Sequence, residues 1–182
     1  MLKSQYVVLL LKLLSKPENL VLSQNQLAVQ LCMSVSEIHA GFKSLREAGL
    51  MQFPNKSSKE KLPLQLVYSA IEEFLLYGLK YVFPVKTGEF TRGIPTSYAA
   101  PILEKIFTQG QDPIPVWPYA EGSMKGLAVE PLYRSVPESL IQHPDDAFYD
   151  LLALIDAIRI GRARERQIAA QLLQEKLKNV RT

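Results

Sequence analysis

Apolar positions follow a helical period up to about residue 83, lose any sustained period between 84 and 144, and regain it from there to the end of the chain. The first run, Gln5 to Leu14, is dense enough to be a helix with little exposed surface, and Lys3 and Lys12 bracket it. Two shorter amphipathic runs follow. Ser23 precedes Leu27, Ala28 and Leu31, and Ser34 precedes Val35, Ile38, Phe42 and Leu45. Each serine stands where a hydroxyl can accept an unpaired backbone N–H at a helix start. Cys32 and Met33 leave room only for a tight turn, and Gly49 stands where a left-handed C-terminal cap is needed. A third stretch, Leu64 to Phe83, carries Leu66, Val67, Ala70, Ile71, Phe74, Leu75 and Leu79 with Glu72, Glu73 and Lys80 facing away. It predicts one long helix, weakened at Gly78 and ended by Pro84.

Ser23 to Gly49 therefore reads as two helices joined by a turn, the arrangement that presents one helix to a DNA groove. At about 100° per residue, the second helix gathers Val35, Ile38, Phe42 and Leu45 inward and leaves Ser36, Glu37, Ala40, Lys43, Ser44 and Glu47 outward. Small polar side chains suit a major groove about 12 Å wide, with Ser34 at the helix start and Lys43 available to a phosphate or to guanine acceptors. His39 and Arg46 lie at the border of the apolar side and are expected to pack or to reach the DNA backbone. An ordinary helical hairpin would have the same short connection. The spacing favours recognition: Ala28 in the first helix, a small Cys32 four residues on at the turn, and Ile38 six residues later.

That spacing looks like the helix-turn-helix pattern, with cysteine at a position most often occupied by glycine. With the helix before it and the loop after it, residues 1–62 resemble the winged-helix domains of MarR-type bacterial regulators, over about a third of the chain. The resemblance implies a wing, a dimer formed through helices outside the DNA-binding core, and binding to double-stranded DNA. Leu50 to Phe53 is a candidate strand, and Asn55 to Lys61 brings Lys56, Lys59 and Lys61 into a polar loop placed as a wing, or as a solvated linker. No returning strand is evident, because Leu62 and Pro63 lead straight into the third helical run, so the wing is expected to be reduced to a basic loop.

Composition narrows the possibilities. A chain of 182 residues, 47% hydrophobic and 21% charged, is an ordinary globular protein of one or two domains. Its single cysteine excludes an internal disulfide framework and favours the cytoplasm. Lys12 interrupts the first apolar run, and neither a signal-peptide cleavage site nor a run of roughly 18 apolar residues is present, so no membrane partner is expected. The net charge of +3 is mild, but residues 1–62 hold eight Lys and Arg against four Asp and Glu, which puts the excess on the proposed DNA-binding domain.

The segment 84–144 holds nine of the twelve prolines and is read as loop-rich yet packed. A short helix is expected over Pro101 to Phe107, and shaped loops over Lys86 to Ser97 and Trp117 to Glu130. Trp117 and Tyr119 are residue types that protein interfaces favour, and they are candidates either for packing or for partner recognition. Pro144 with Asp145 or Asp146 opens a final helical region that Gly161 breaks or kinks. There Arg159, Arg162, Arg164 and Arg166 form a basic knot, suited to an acidic partner or to pairing with Asp156 and Glu165 on a solvated face.

Little in the residue inventory points to catalysis. There are two histidines, no nucleophile has an evident base, and no glycine-rich phosphate loop follows a strand. His143, Asp145 and Asp146 fit helix capping better than metal binding, so no enzyme, metal or cofactor is expected. The predicted fold is mainly α: a tri-helical, winged-helix-like domain over 1–62 and an α-rich interaction or dimerisation domain over 63–182 with a long loop-rich insertion. That plan is similar to bacterial antitoxin regulators of the abortive-infection type, which repress their own operon and act against a nucleotidyltransferase toxin. Thr91 to Pro101 and Ile160 to Arg166 also look like stretches of small MarR-like proteins. Sequence-specific DNA binding by a dimeric repressor is the leading expectation. The alternative is an antitoxin or adaptor whose C-terminal domain binds a protein such as that toxin.

Overall fold

The computed structural model describes residues 1–52, 64–107 and 113–181, and the chain is mainly helical with small sheets. Helix α1 (Ser4–Ser15) is buried from Tyr6 through Ser15 because it is apolar on every side. It packs against α3 (Val35–Glu47) on one side and α8 (Asp146–Ile160) on the other. A 3₁₀ turn (Pro17–Val21) leads to α2 (Gln24–Leu31), which lies on α3. Gly41 of α3 permits the close approach to α1, since a Cβ there would sit 2.7 Å from Leu9.

The returning strand that the sequence did not reveal is present. β1 (Met51–Gln52) pairs antiparallel with β2 (Gln65–Leu66), Met51 opposite Leu66. The expected boundary at 62/63 therefore falls inside a hairpin, and the helix starts at Tyr68 instead of Leu64. This helix is continuous over 68–82, as α4 (Tyr68–Glu73), a π-helical turn (Phe74–Gly78) and α5 (Leu79–Val82).

Strands also replace the expected loops. β3 (Thr87–Pro95) pairs antiparallel with both β4 (Pro115–Pro118) and β5 (Met124–Val129), which pair parallel to each other, closing a three-stranded barrel. So small a barrel forces backbone against backbone. A Cβ at Gly93 would lie 2.0 Å from the Trp117 carbonyl oxygen, and one at Gly126 would lie 2.1 Å from that of Ile114. Gly93→Ala is expected to destabilise the fold by about 3 kcal/mol or more, measured by urea unfolding. A 3₁₀ turn (Ser97–Ala99) and α6 (Pro101–Glu104) follow β3, with Pro101 at the first helical turn as expected.

α7 (Val136–Gln142), α8 and α9 (Ala163–Arg181) complete the chain. Gly161 separates the last two, as its position suggested. One apolar core runs from α1 through Leu177 of α9. The Lys12 ammonium reaches this core and is matched there: Nζ lies 2.6 Å from Asp145 Oδ2, while Lys16 Nζ lies 3.1 Å from Oδ1. Asp145 Oδ1 also accepts the Phe148 N–H and caps α8. Burial pushes the Asp145 carboxyl up, but Lys12, Lys16 and the Phe148 N–H together hold it below its usual range. A depressed folded value means that the stabilisation is present above the unfolded value of about 3.9 and is lost as pH falls through the folded value. Thermal unfolding should show this loss in acid for the native chain, and a smaller one for Asp145→Asn.

Candidate nucleic-acid interface

The site is built from two helix starts of the same design. At α2, Ser23 Oγ accepts the Gln26 N–H at 3.2 Å and Gln26 Oε1 accepts the Ser23 N–H at 2.8 Å. At α3, Ser34 Oγ accepts the Glu37 N–H at 3.2 Å and Glu37 Oε2 accepts the Ser34 N–H at 2.9 Å. Both are reciprocal capping boxes, so both helix starts are fixed by residues three apart. Between them Cys32 adopts φ 51°, ψ 44°, and the Met33 N–H reaches back to the Ala28 carbonyl at 3.0 Å. A cysteine thus occupies the left-handed conformation that glycine adopts without a Cβ penalty. Cys32→Gly should stabilise the protein by about 1 kcal/mol, raising Tm by about 2–4 °C in a scanning calorimeter.

The exposed face of α3 is rotated from the expected one. Ser36, His39, Lys43, Arg46 and Glu47 are exposed, and Val35, expected inside, is 45% exposed. Ser44 is buried and donates from Oγ to the Met1 carbonyl at 3.3 Å, because the N-terminus lies across that side of the helix. Ala40 is half-buried and packs on the core. Lys43 projects from the middle of the outward face, 4.0 Å from Glu47, and both side chains are more than half exposed. Ser34 is exposed, but its hydroxyl is engaged in the cap. Lys56 and Lys59 lie outside the described residues.

Glu37 does not face outward. Its carboxylate accepts the Tyr133 hydroxyl, and Gln5 Nε2 donates to it at 3.4 Å. The Tyr133 hydrogen bond, with the Ser34 N–H and the nearby Arg134, holds the Glu37 carboxyl below its usual range, and the same bond pushes the Tyr133 phenol up. Ser135 Oγ donates to the Leu31 carbonyl at 2.7 Å, and Cys32 Sγ donates to Gln142 Oε1 at 3.7 Å. Residues 133–142 thereby brace the turn between the two helices. No spacing rule links Tyr133 to Glu37 across 96 residues, so this support was invisible in the sequence.

The expected partner-binding residues separate. Trp117 is 1% exposed, and its indole N–H donates to Asp156 Oδ2 at 2.7 Å. Tyr119 is half-buried against the core. The Arg159 side chain is buried, Nη1 2.8 Å from Asp156 Oδ1 and Nε 2.9 Å from the Phe83 carbonyl oxygen. It does pair with Asp156, though inside the protein and not on a solvated face. Arg162, Arg164 and Arg166 are exposed. Thr96 Oγ1 adds a further hydrogen bond to Asp156 at 2.9 Å, so the barrel, the turn after it and α8 meet at one carboxylate. Burial drives the Asp156 carboxyl above the usual range, against the pull of Arg159, Thr96 and Trp117.

No helix among the described residues is long and apolar enough to cross a membrane. No protein-family model, curated protein or solved structure gives a significant match to the chain.

Proposed function

We propose that this protein is a bacterial transcriptional regulator, a repressor that binds double-stranded DNA sequence-specifically with α3 in the major groove. The observation that carries this reading is the exposed stripe of Ser36, His39, Lys43 and Arg46 on a helix whose start is fixed by a capping box and a tight left-handed turn. A helix entering a groove needs donors on its outer face and a rigid frame behind it. Here α1 and the brace from residues 133–142 supply the frame. The β1–β2 pair follows α3 directly and fits a winged-helix module, its hairpin lying beside the recognition helix along the DNA backbone. The buried indole of Trp117 removes the main anchor of the competing reading, in which residues 84–182 chiefly serve a protein partner.

Binding to duplex DNA should fall steeply with salt, because each phosphate neutralised contributes about −0.9 to the slope of log K against log salt. Fluorescence anisotropy across a salt series checks this. A slope near zero would overturn the proposal.

A further inference from the structure

The helical rod over 68–82 carries an unusual outer edge. A π-helical turn takes about 4.4 residues to rotate once, more than the 3.6 of an α-helix. Positions four apart therefore stay nearly aligned across Phe74–Gly78. Ile71, Leu75 and Leu79 all point into the core with no exposed surface. Glu73, Tyr77 and Tyr81 consequently form one straight outward ridge, with Tyr77 69% and Tyr81 76% exposed. Beside the ridge runs a mainly apolar groove of about 480 Å³, walled by Leu2, Leu50, Ala70, Phe74 and Tyr77 and floored near Gly78. Glu72 accepts a hydrogen bond from Gln174 of α9 at 2.7 Å, which helps to fix the rod on the body of the protein.

We infer that this ridge is the contact between two copies of the chain, packed antiparallel across a two-fold axis at Tyr77. The occupant is specified by charge and shape together. Glu73 and Tyr81 are each four residues from Tyr77, so the two-fold sets Glu73 of one copy against Tyr81 of the other. The Lys80 ammonium already lies 4.7 Å from the centre of that Tyr81 ring. Each interface thus gains two symmetry-related Glu73–Lys80 pairs, the reciprocal pattern that a two-fold contact requires. Each copy also offers both a projecting aromatic ring and an adjoining apolar groove, so Tyr77 of one can enter the groove of the other where Gly78 leaves space. An acidic or basic partner would satisfy only one of the two charges. This contact goes beyond the DNA reading and does not rest on it.

The test is the mass of the full chain in solution without DNA, by sedimentation equilibrium across a concentration series. The native protein should approach twice its 20.5 kDa. Tyr77→Asp should be monomeric with an unchanged circular dichroism spectrum, since the side chain is largely exposed. Glu73→Lys and Lys80→Glu should each weaken association about tenfold or more, and the double exchange Glu73→Lys/Lys80→Glu should restore it. A native chain that stays monomeric at high micromolar concentration, a Tyr77→Asp variant that still dimerises, or a double exchange without recovery would each overturn the inference. DNA binding would be unaffected by that failure as a separate finding.

Discussion

Asp156→Ala is expected to lower the unfolding free energy by about 3–5 kcal/mol, the usual cost of leaving a buried charge without its partner. Three groups lose their common acceptor at once: the Arg159 guanidinium, the Trp117 indole N–H and the Thr96 hydroxyl. Arg159 has only the Phe83 carbonyl left among its recorded contacts, and its side chain is 4% exposed, so water cannot replace the carboxylate without opening the core. The small barrel should suffer first, because Trp117 is the β4 residue held against α8. Thermal unfolding should show a drop of roughly 10 °C, at about 2–4 °C per kcal/mol for a chain of this size. Replacing Asp156 and Arg159 together by apolar residues of similar volume should recover much of the loss, since the double change leaves no orphaned charge. A single replacement that leaves Tm unchanged would show that the carboxylate does not hold these elements together.

The second large effect is on binding. Lys43→Glu combined with Arg46→Glu should reduce DNA affinity about a hundredfold or more, each lost contact being worth about 1–3 kcal/mol when it reads a base. Lys43 lies at the centre of the outward face and Arg46 is on the same exposed arc. Neither belongs to the buried side formed by Ile38, Gly41, Phe42 and Leu45, so the double variant should keep its circular dichroism spectrum and Tm close to native. Ser44→Ala is the useful contrast. Its hydroxyl is buried on the Met1 carbonyl, so it should affect stability slightly and DNA affinity little, although sequence alone places it on the reading face.

Local chemistry explains which features were legible. Both capping boxes join residues three apart, and the left-handed turn at Cys32 follows from its position between two caps. The helix-turn-helix-like unit could therefore be read directly. The rotation of α3 could not, because what covers Ser44 and Glu37 comes from Met1 and from Tyr133, one at the chain start and the other 96 residues away. β2 escaped notice for a different reason: Gln65–Leu66 is only two residues long and shows no alternation. The β3–β5 barrel hid behind its prolines and glycines, which usually mark loops, but here end strands or permit backbone contact. Lys12 announced itself as a charge within an apolar helix, while its partner Asp145 lay 133 residues away. Trp117 was a reasonable interface candidate by residue type, and only the fold reveals the buried carboxylate that takes its N–H.

The most direct test of the central claim compares the native chain with Lys43→Glu/Arg46→Glu on two duplexes, the DNA upstream of its own coding sequence and a scrambled duplex of equal length and composition. Anisotropy titrations at one physiological salt concentration give both affinities. The proposed function predicts that the native protein prefers its own upstream DNA by about a thousandfold or more, and that the double variant loses this preference while remaining folded. Equal affinity for the two duplexes, unchanged by the substitutions, would contradict it.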